Sequence, residues 1–165
     1  MKELFIIRHA KSSWESEVLK DIDRPLNKRG ERDSPRIGEQ LKSRGEAIDI
    51  FMSSNANRAF STAQKVAESF GFPKDKILVE SKIYEANVHQ LLKIISGTDD
   101  KYNSLAIFGH NPGFTELAEY LTDQLLGNIP TAGVVKVKLK INSWKEISAN
   151  SGEFVYFHYP KGQTE

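Results

Sequence analysis

Two histidines in this chain stand directly after short apolar runs, and each has neighbours suited to gripping an anion. Leu4-Phe5-Ile6-Ile7 is followed by Arg8-His9-Ala10-Lys11, and Leu105-Ala106-Ile107-Phe108 by Gly109-His110-Asn111-Pro112-Gly113. Runs of this length and composition read as buried strands, and open α/β sheets bind ligands outside the carboxyl ends of their strands. An imidazole there can attack a phosphoryl group while a neighbouring guanidinium holds its oxygens. His9 alone could equally be a strand-end histidine satisfied by a backbone carbonyl. His110 is better placed, because Asn111-Pro112 predicts a helix start with asparagine capping and proline at the first helical position. The free N–H groups of such a turn form an anion site beside the ring. A capped helix with an incidental histidine is the competing reading.

Arg58 adds an independent clue. It follows Ser53-Ser54-Asn55-Ala56-Asn57 in the predicted first turn of a helix, where a cation opposes the helix dipole. A bound anion would explain it, as would a side chain that swings into solvent. Glu85, in Ile83-Tyr84-Glu85-Ala86-Asn87, lies between a strand and a helix, where a carboxylate can cap the helix or serve as a proton donor.

The elements that must position these residues alternate. Strands are predicted at 3–7, 48–52, 77–79 and 104–108, each short and apolar as parallel strands covered on both faces are. Helical stripes run through Ile37 and Leu41, with Ser34-Pro35 as cap and first-turn proline, and through Ala59, Ala63, Val66, Ala67 and Phe70. Two more run through Val88, Leu91, Leu92 and Ile95, and through Phe114, Leu117, Ala118, Leu121 and Leu125. Near the end Val135, Val137, Leu139 and Ile141 alternate with Lys136, Lys138 and Lys140, and 154–158 follows as another strand. This predicts an antiparallel pair with one wet face, its lysines forming a solvated edge. The expected architecture is a three-layer α/β/α sandwich, its mostly parallel central sheet carrying an antiparallel strand.

Composition excludes several classes. With 165 residues and 39% hydrophobic content, the chain is expected to form one domain, 1–165. A net charge of +1 gives no electrostatic reason to expect nucleic acid or membrane as partner. The absence of cysteine removes thiol nucleophiles and Cys-based zinc sites. Histidines 9, 89, 110 and 158 have no short i, i+3 or i, i+4 spacing, so no metal site is expected. His89 is placed on a solvated helix start and His158 on a strand face. With no membrane-length apolar run, the cytoplasm is the expected compartment.

Arg8-His9-Ala10-Lys11, the Arg24-Pro25-Leu26-Asn27-x-x-Gly30 turn, Ser53-Ser54-x-Ala56-x-Arg58-Ala59-x-x-Thr62-Ala63, Tyr84-Glu85-Ala86 and Gly109-His110-Asn111-Pro112 occur in that order. Together they resemble the histidine phosphatase superfamily, which also contains the phosphoglycerate mutases. The short chain and the continuation Lys11-Ser12-Ser13-Trp14 are similar to its SixA-type phosphohistidine phosphatase branch. The resemblance implies a phosphoglycerate mutase-like fold and a two-step, metal- and cofactor-independent phosphoryl transfer. In it His9 is the nucleophile, Arg8, Arg58 and His110 surround the phosphate, and Glu85 matches the usual acid position. Lys11, Ser12 and Asn111 would lie near the phosphate. The familiar motif has glycine where this chain has Ala10, a small change.

Only 79–87 separates the third predicted strand from its helix, leaving no room for a lid insertion. An open site suits a phosphorylated protein, such as a phosphohistidine protein, as substrate. A small phosphoester processed by a phosphomonoesterase or mutase with the same residues is the alternative. A noncatalytic phosphate-binding module would be marked by loss of His9, Arg8, Arg58 or His110, and all four are present.

Overall fold

Alternation along the strands explains how this chain builds two cores from one sheet. In a computed structural model that describes residues 1–160, Leu4 and Ile6 join one buried cluster, and Phe5 and Ile7 join the other. Leu105 and Ile107 divide from Ala106 and Phe108 in the same way. The period of two thus puts apolar side chains on both faces.

The strands are β1 (Lys2–Arg8), β2 (Ile50–Ser53), β3 (Leu78–Val79), β4 (Ser104–Gly109), β5 (Val134–Leu139) and β6 (Gly152–His158). They form one sheet in the order β3-β2-β4-β1-β5-β6. Strands β1 to β4 are mutually parallel, β5 runs antiparallel to β1, and β6 antiparallel to β5. The helices are α1 (Lys28–Ser43), α2 (Asn57–Phe70), α3 (Val88–Ser96) and α4 (Gly113–Thr122). Buried residues of α1 and α2 belong to one cluster, and those of α3 and α4 to the other. The chain leaves β1 towards one face and the neighbouring β4 towards the opposite face. A crevice therefore opens at their carboxyl ends.

Several boundaries differ from those expected. Helix α1 begins seven residues before Pro35, capped by Asn27, whose side chain accepts from the Gly30 amide at 2.8 Å. Pro35 sits inside the helix, and Ser34 Oγ donates to the Gly30 carbonyl in the same stretch. Tertiary packing decides this start. A Cβ at Gly30 would lie 2.1 Å from the Lys11 carbonyl oxygen, so only glycine lets α1 rest on the loop after β1. Strand β3 is two exposed residues at a sheet edge rather than a covered strand. Leu125 lies beyond α4 and is exposed.

Strand β6 pairs along the edge of β5, so the lysines do not line a free sheet edge, and one of the three departs from the expected solvated row. Lys136 is buried, with its Nζ 2.7 Å from Glu46 Oε1 and 3.5 Å from Glu3 Oε2. A buried lysine is tolerated where carboxylates pair with it. Lys138 and Lys140 are exposed.

Candidate active site

The parallel ladder between β1 and β4 sets the geometry. Its register places Arg8 opposite Gly109, and the next step of the ladder is a bond from the His9 amide to the Gly109 carbonyl at 3.0 Å. His9 and His110 thus emerge side by side from adjacent strand ends, with ring centroids 5.4 Å apart.

His9 is buried, and its Nδ1 lies 2.7 Å from the Ala10 carbonyl oxygen. A carbonyl only accepts, so Nδ1 carries the proton and Nε2 keeps its lone pair. Burial pushes the pKa of His9 well below the ordinary imidazole value, and His110, Arg8 and Arg58 push it further down. The Ala10 hydrogen bond opposes them. The ring is therefore neutral at physiological pH. Its backbone is fixed from both sides: the Ala10 amide donates to Thr62 Oγ1 at 3.0 Å, and the Ala132 amide to the His9 carbonyl at 3.1 Å.

Arg58 occupies the second position of α2, in the first turn as expected. It is buried, and Thr62 Oγ1, which receives the Ala10 amide, donates to the Arg58 carbonyl at 2.7 Å. The Arg58 guanidinium reaches Asp21 through Nη1 to the carbonyl (2.8 Å) and Nη2 to Oδ2 (3.1 Å), while its Nε is buried without a protein partner. Arg8 donates through Nη1 to the Ile129 carbonyl at 3.0 Å.

His110 Nε2 meets Ser54 Oγ at 2.8 Å, and its Nδ1 is buried without a protein partner. Burial, followed by the Arg58 charge, lowers its pKa to about 3. Tyr84 packs edge-on against this ring at 5.5 Å.

The remaining expected neighbours differ in how far the protein itself already engages them. The helix after His110 begins at Gly113, with Pro112 as the flanking residue after a cis Asn111-Pro112 bond. Asn111 still caps it, since its Oδ1 accepts from the Thr115 amide at 3.2 Å and from Thr115 Oγ1 at 2.8 Å. Its Nδ2 donates to Asn128 and to the Ile129 carbonyl, so the whole amide is engaged within the protein. Ser12 Oγ accepts from Arg24 Nη1 at 2.9 Å, which leaves its own proton to donate. Lys11 is half-buried, and its carbonyl accepts the Asn27 amide. Glu85 does not cap α3. Asn87 and Gln90 form a reciprocal capping box there, while Glu85 is exposed with a left-handed φ of 60°.

Sequence reasoning missed the site's carboxylate. Asp21 lies in a 3-10 turn at Asp21–Asp23 and receives Tyr84 Oη at 2.5 Å, Arg24 Nε at 3.1 Å and both Arg58 contacts. The Tyr84 hydrogen bond, followed by the Arg58 charge, holds its pKa down to about 2. Only the Arg24-Pro25 turn just downstream hinted that this loop reaches the site. Among the described residues no group of three or more His, Cys, Asp or Glu side chains is arranged to hold a metal ion.

An α/β sandwich of this topology, with Arg8, His9 and His110 at adjacent strand ends and Arg58 in the first turn of a helix, has the form of a phosphoglycerate mutase-like phosphoryl-transfer protein. A model of the histidine phosphatase superfamily (branch 1) matches residues 4–102, and the chain belongs to that superfamily. It is 31% identical over 160 residues to an uncharacterised chloroplastic protein of Arabidopsis thaliana, covering 92% of this chain and 72% of that one. The fold matches a proposed phosphohistidine phosphatase SixA from Agrobacterium tumefaciens with a TM-score of 0.80 at 24% identity, over 96% and 98% of the two chains. A protein histidine phosphatase SixA complexed with tungstate also matches, with a TM-score of 0.80 at 20% identity, over 94% and 95%. Family membership supports phosphatase activity. Among the described residues no helix is long and apolar enough to cross a membrane.

Proposed function

We propose that this protein is a metal-independent, SixA-type phosphatase that removes phosphate from a phosphohistidine protein by way of its own phosphohistidine. One observation carries the reading: the His9 Nδ1 contact with the Ala10 carbonyl, which leaves Nε2 unprotonated in the field of the Arg8 and Arg58 guanidiniums. In the first step the Nε2 lone pair forms a bond to phosphorus as the bond to the leaving group breaks. Water then adds its oxygen to phosphorus, the N–P bond breaks, and the electron pair returns to Nε2 as phosphate departs.

Charge on the equatorial oxygens is the main thing the protein must offset in such a transfer. Arg8, Arg58 and His110 are assigned that task. Assigning the Ser54 hydroxyl as donor to Nε2 puts the His110 proton on Nδ1, where it is available as a donor to a phosphate oxygen. The Arg58 Nε–H is a second such donor. Lys11 is retained as a phosphate neighbour. Ser12 holds Arg24 and keeps its hydroxyl proton for a phosphate oxygen, Asn111 is reassigned to holding the loop at Ile129, and Glu85 remains the candidate acid.

The substrate class follows from the exposed surroundings. Residues 80–87 connect β3 to α3, so the chain is read as one domain without a lid, open to a phosphate displayed on a protein. The cytoplasm is the proposed compartment. Phosphate release from a phosphohistidine protein, a phosphoaspartyl protein and a panel of small esters at matched concentrations tests the reading. Preference for the phosphohistidine protein is expected, and faster turnover of a sugar phosphate would make the protein a small-molecule phosphomonoesterase or mutase.

A further inference from the structure

Three arginines that play no part in the phosphate pocket crowd one face of α1. Arg29, Arg32 and Arg36 follow an i, i+3, i+7 spacing, which puts them on a single helical stripe. They share one carboxylate, Asp33, at 3.6, 3.6 and 3.9 Å. None of these contacts is short enough for a hydrogen bond. Asp33 is 2% exposed, whereas the Arg32 and Arg36 side chains are 58% and 63% exposed. Three guanidiniums against one inaccessible carboxylate leave positive charge facing solvent.

The stripe is also ill-suited to stabilising its own helix. Lys28 and Arg29 occupy the first turn of α1, where cations oppose the dipole. Glu31, the acidic residue of that turn, lines one groove against α2 and shares another with Arg29, away from Arg32 and Arg36. The three arginines instead line a groove of about 580 Å³ with Asp33, Ala132 and His158, and among the described residues Asp33 is the only acidic one lining it.

The groove adjoins the catalytic end of the sheet. Helix α1 starts there, with Gly30 packed on the Lys11 backbone, and Ala132 donates its amide to the carbonyl of His9. From Arg29 to Arg36 the stripe extends roughly 10 Å down the side of the molecule. We infer that this arginine face is a docking surface for an acidic segment of the phosphorylated protein substrate. The inference rests on the protein-phosphatase reading above and extends it to what the enzyme recognises outside the phosphate. An extended chain advances about 3.4 Å per residue. An acidic segment of about three residues flanking the phosphorylated side chain would therefore span Arg29, Arg32 and Arg36.

The test pairs synthetic phosphohistidyl peptides that differ only in an acidic or a neutral flank with the double variant Arg32→Ala/Arg36→Ala. Exposed ion pairs are individually weak, so two of them predict a rise in KM of about fivefold to tenfold for the acidic peptide. The expected result leaves kcat, the neutral peptide and a small aryl phosphate unchanged. Arg32→Lys/Arg36→Lys should restore most of the preference, and raising the salt should abolish it. Equal KM changes for both peptides would overturn the docking surface. Binding of a fluorescent, unphosphorylated acidic peptide provides a readout independent of turnover. If no phosphohistidyl peptide is hydrolysed yet the labelled peptide binds in an arginine-dependent way, the catalytic reading fails and the docking surface stands. If it binds the parent and the double variant equally, the docking surface fails.

Discussion

Asp21 places one carboxylate oxygen 3.1 Å from Arg58 Nη2, so the guanidinium assigned to the phosphate is already partnered by an anion of the protein. The Asp21 side chain is 48% exposed, at the lip of the crevice rather than in its floor. A phosphate approaching Arg58 meets both the cation and this neighbouring negative charge. Replacing Asp21 with Asn keeps the shape and removes the charge. Tungstate, titrated by calorimetry, should then bind about threefold to tenfold more tightly, as expected for loss of one like charge a few ångströms away. Weaker binding would give the carboxylate the opposite task, that of holding Arg58 in place.

His9→Ala should lower turnover at least about a thousandfold, as loss of a covalent nucleophile does. A phosphodonor should transiently label the parent protein, with the acid lability and base stability of a phosphoramidate, and leave the variant unlabelled. Near-native turnover by His9→Ala would end the covalent mechanism.

Chelation should leave the rate unchanged within experimental error, because Arg8, Arg58 and His110 are assigned the charge that Mg²⁺ handles in other phosphoryl transfers. A large loss restored by one divalent ion would show that assignment to be wrong.

Glu85→Gln separates acid from bystander. General acid catalysis is worth about a hundredfold to ten-thousandfold, so esters with poor leaving groups should slow far more than activated aryl esters. Because Asn87 and Gln90 cap α3, the melting temperature should not move. A uniform rate change across leaving groups would leave Glu85 without a catalytic role.

The two depressed histidines make stability pH-dependent with a definite sign. In the unfolded chain each takes up a proton near pH 6.5, whereas His110 resists until about pH 3 and His9 until well below its ordinary value. The unfolded state thus binds more protons over that interval. The histidines' contribution is present above about pH 6.5 and lost progressively towards pH 3. Asp21, with a pKa near 2, has its own contribution fully present above its unfolded value of 3.8 and lost as pH falls towards 2. His9→Asn/His110→Asn should therefore show a shallower fall in melting temperature between pH 7 and pH 4 than the parent. An identical slope would contradict the burial argument.

The four residues whose positions carry the site were legible because each is tied to an element boundary. Arg8, His9 and His110 end apolar runs, and Arg58 opens a helix where its charge is unfavourable. Asp21 was not legible, because it belongs to a turn with no periodicity and acquires meaning only through Arg58, Arg24 and Tyr84 across the crevice. Pro35 misled for a related reason: a glycine contact at Gly30, four residues before the capping signal at Ser34, fixed where α1 begins. Lys136 shows the limit of alternation. A strand with one polar face looks solvent-facing until a further strand and Glu46 supply cover and partners.

The pairing of Arg8 with Gly109 joins positions about a hundred residues apart in the chain. Catalytic geometry is therefore among the last things a folding molecule can acquire, since loop closure on that scale must precede it. A slip of one residue between these strands would turn His110 to the opposite face and expose Ile107 or Phe108 to the wrong core. Recovery of enzymatic rate after dilution from denaturant would thus report completed pairing of β1 with β4.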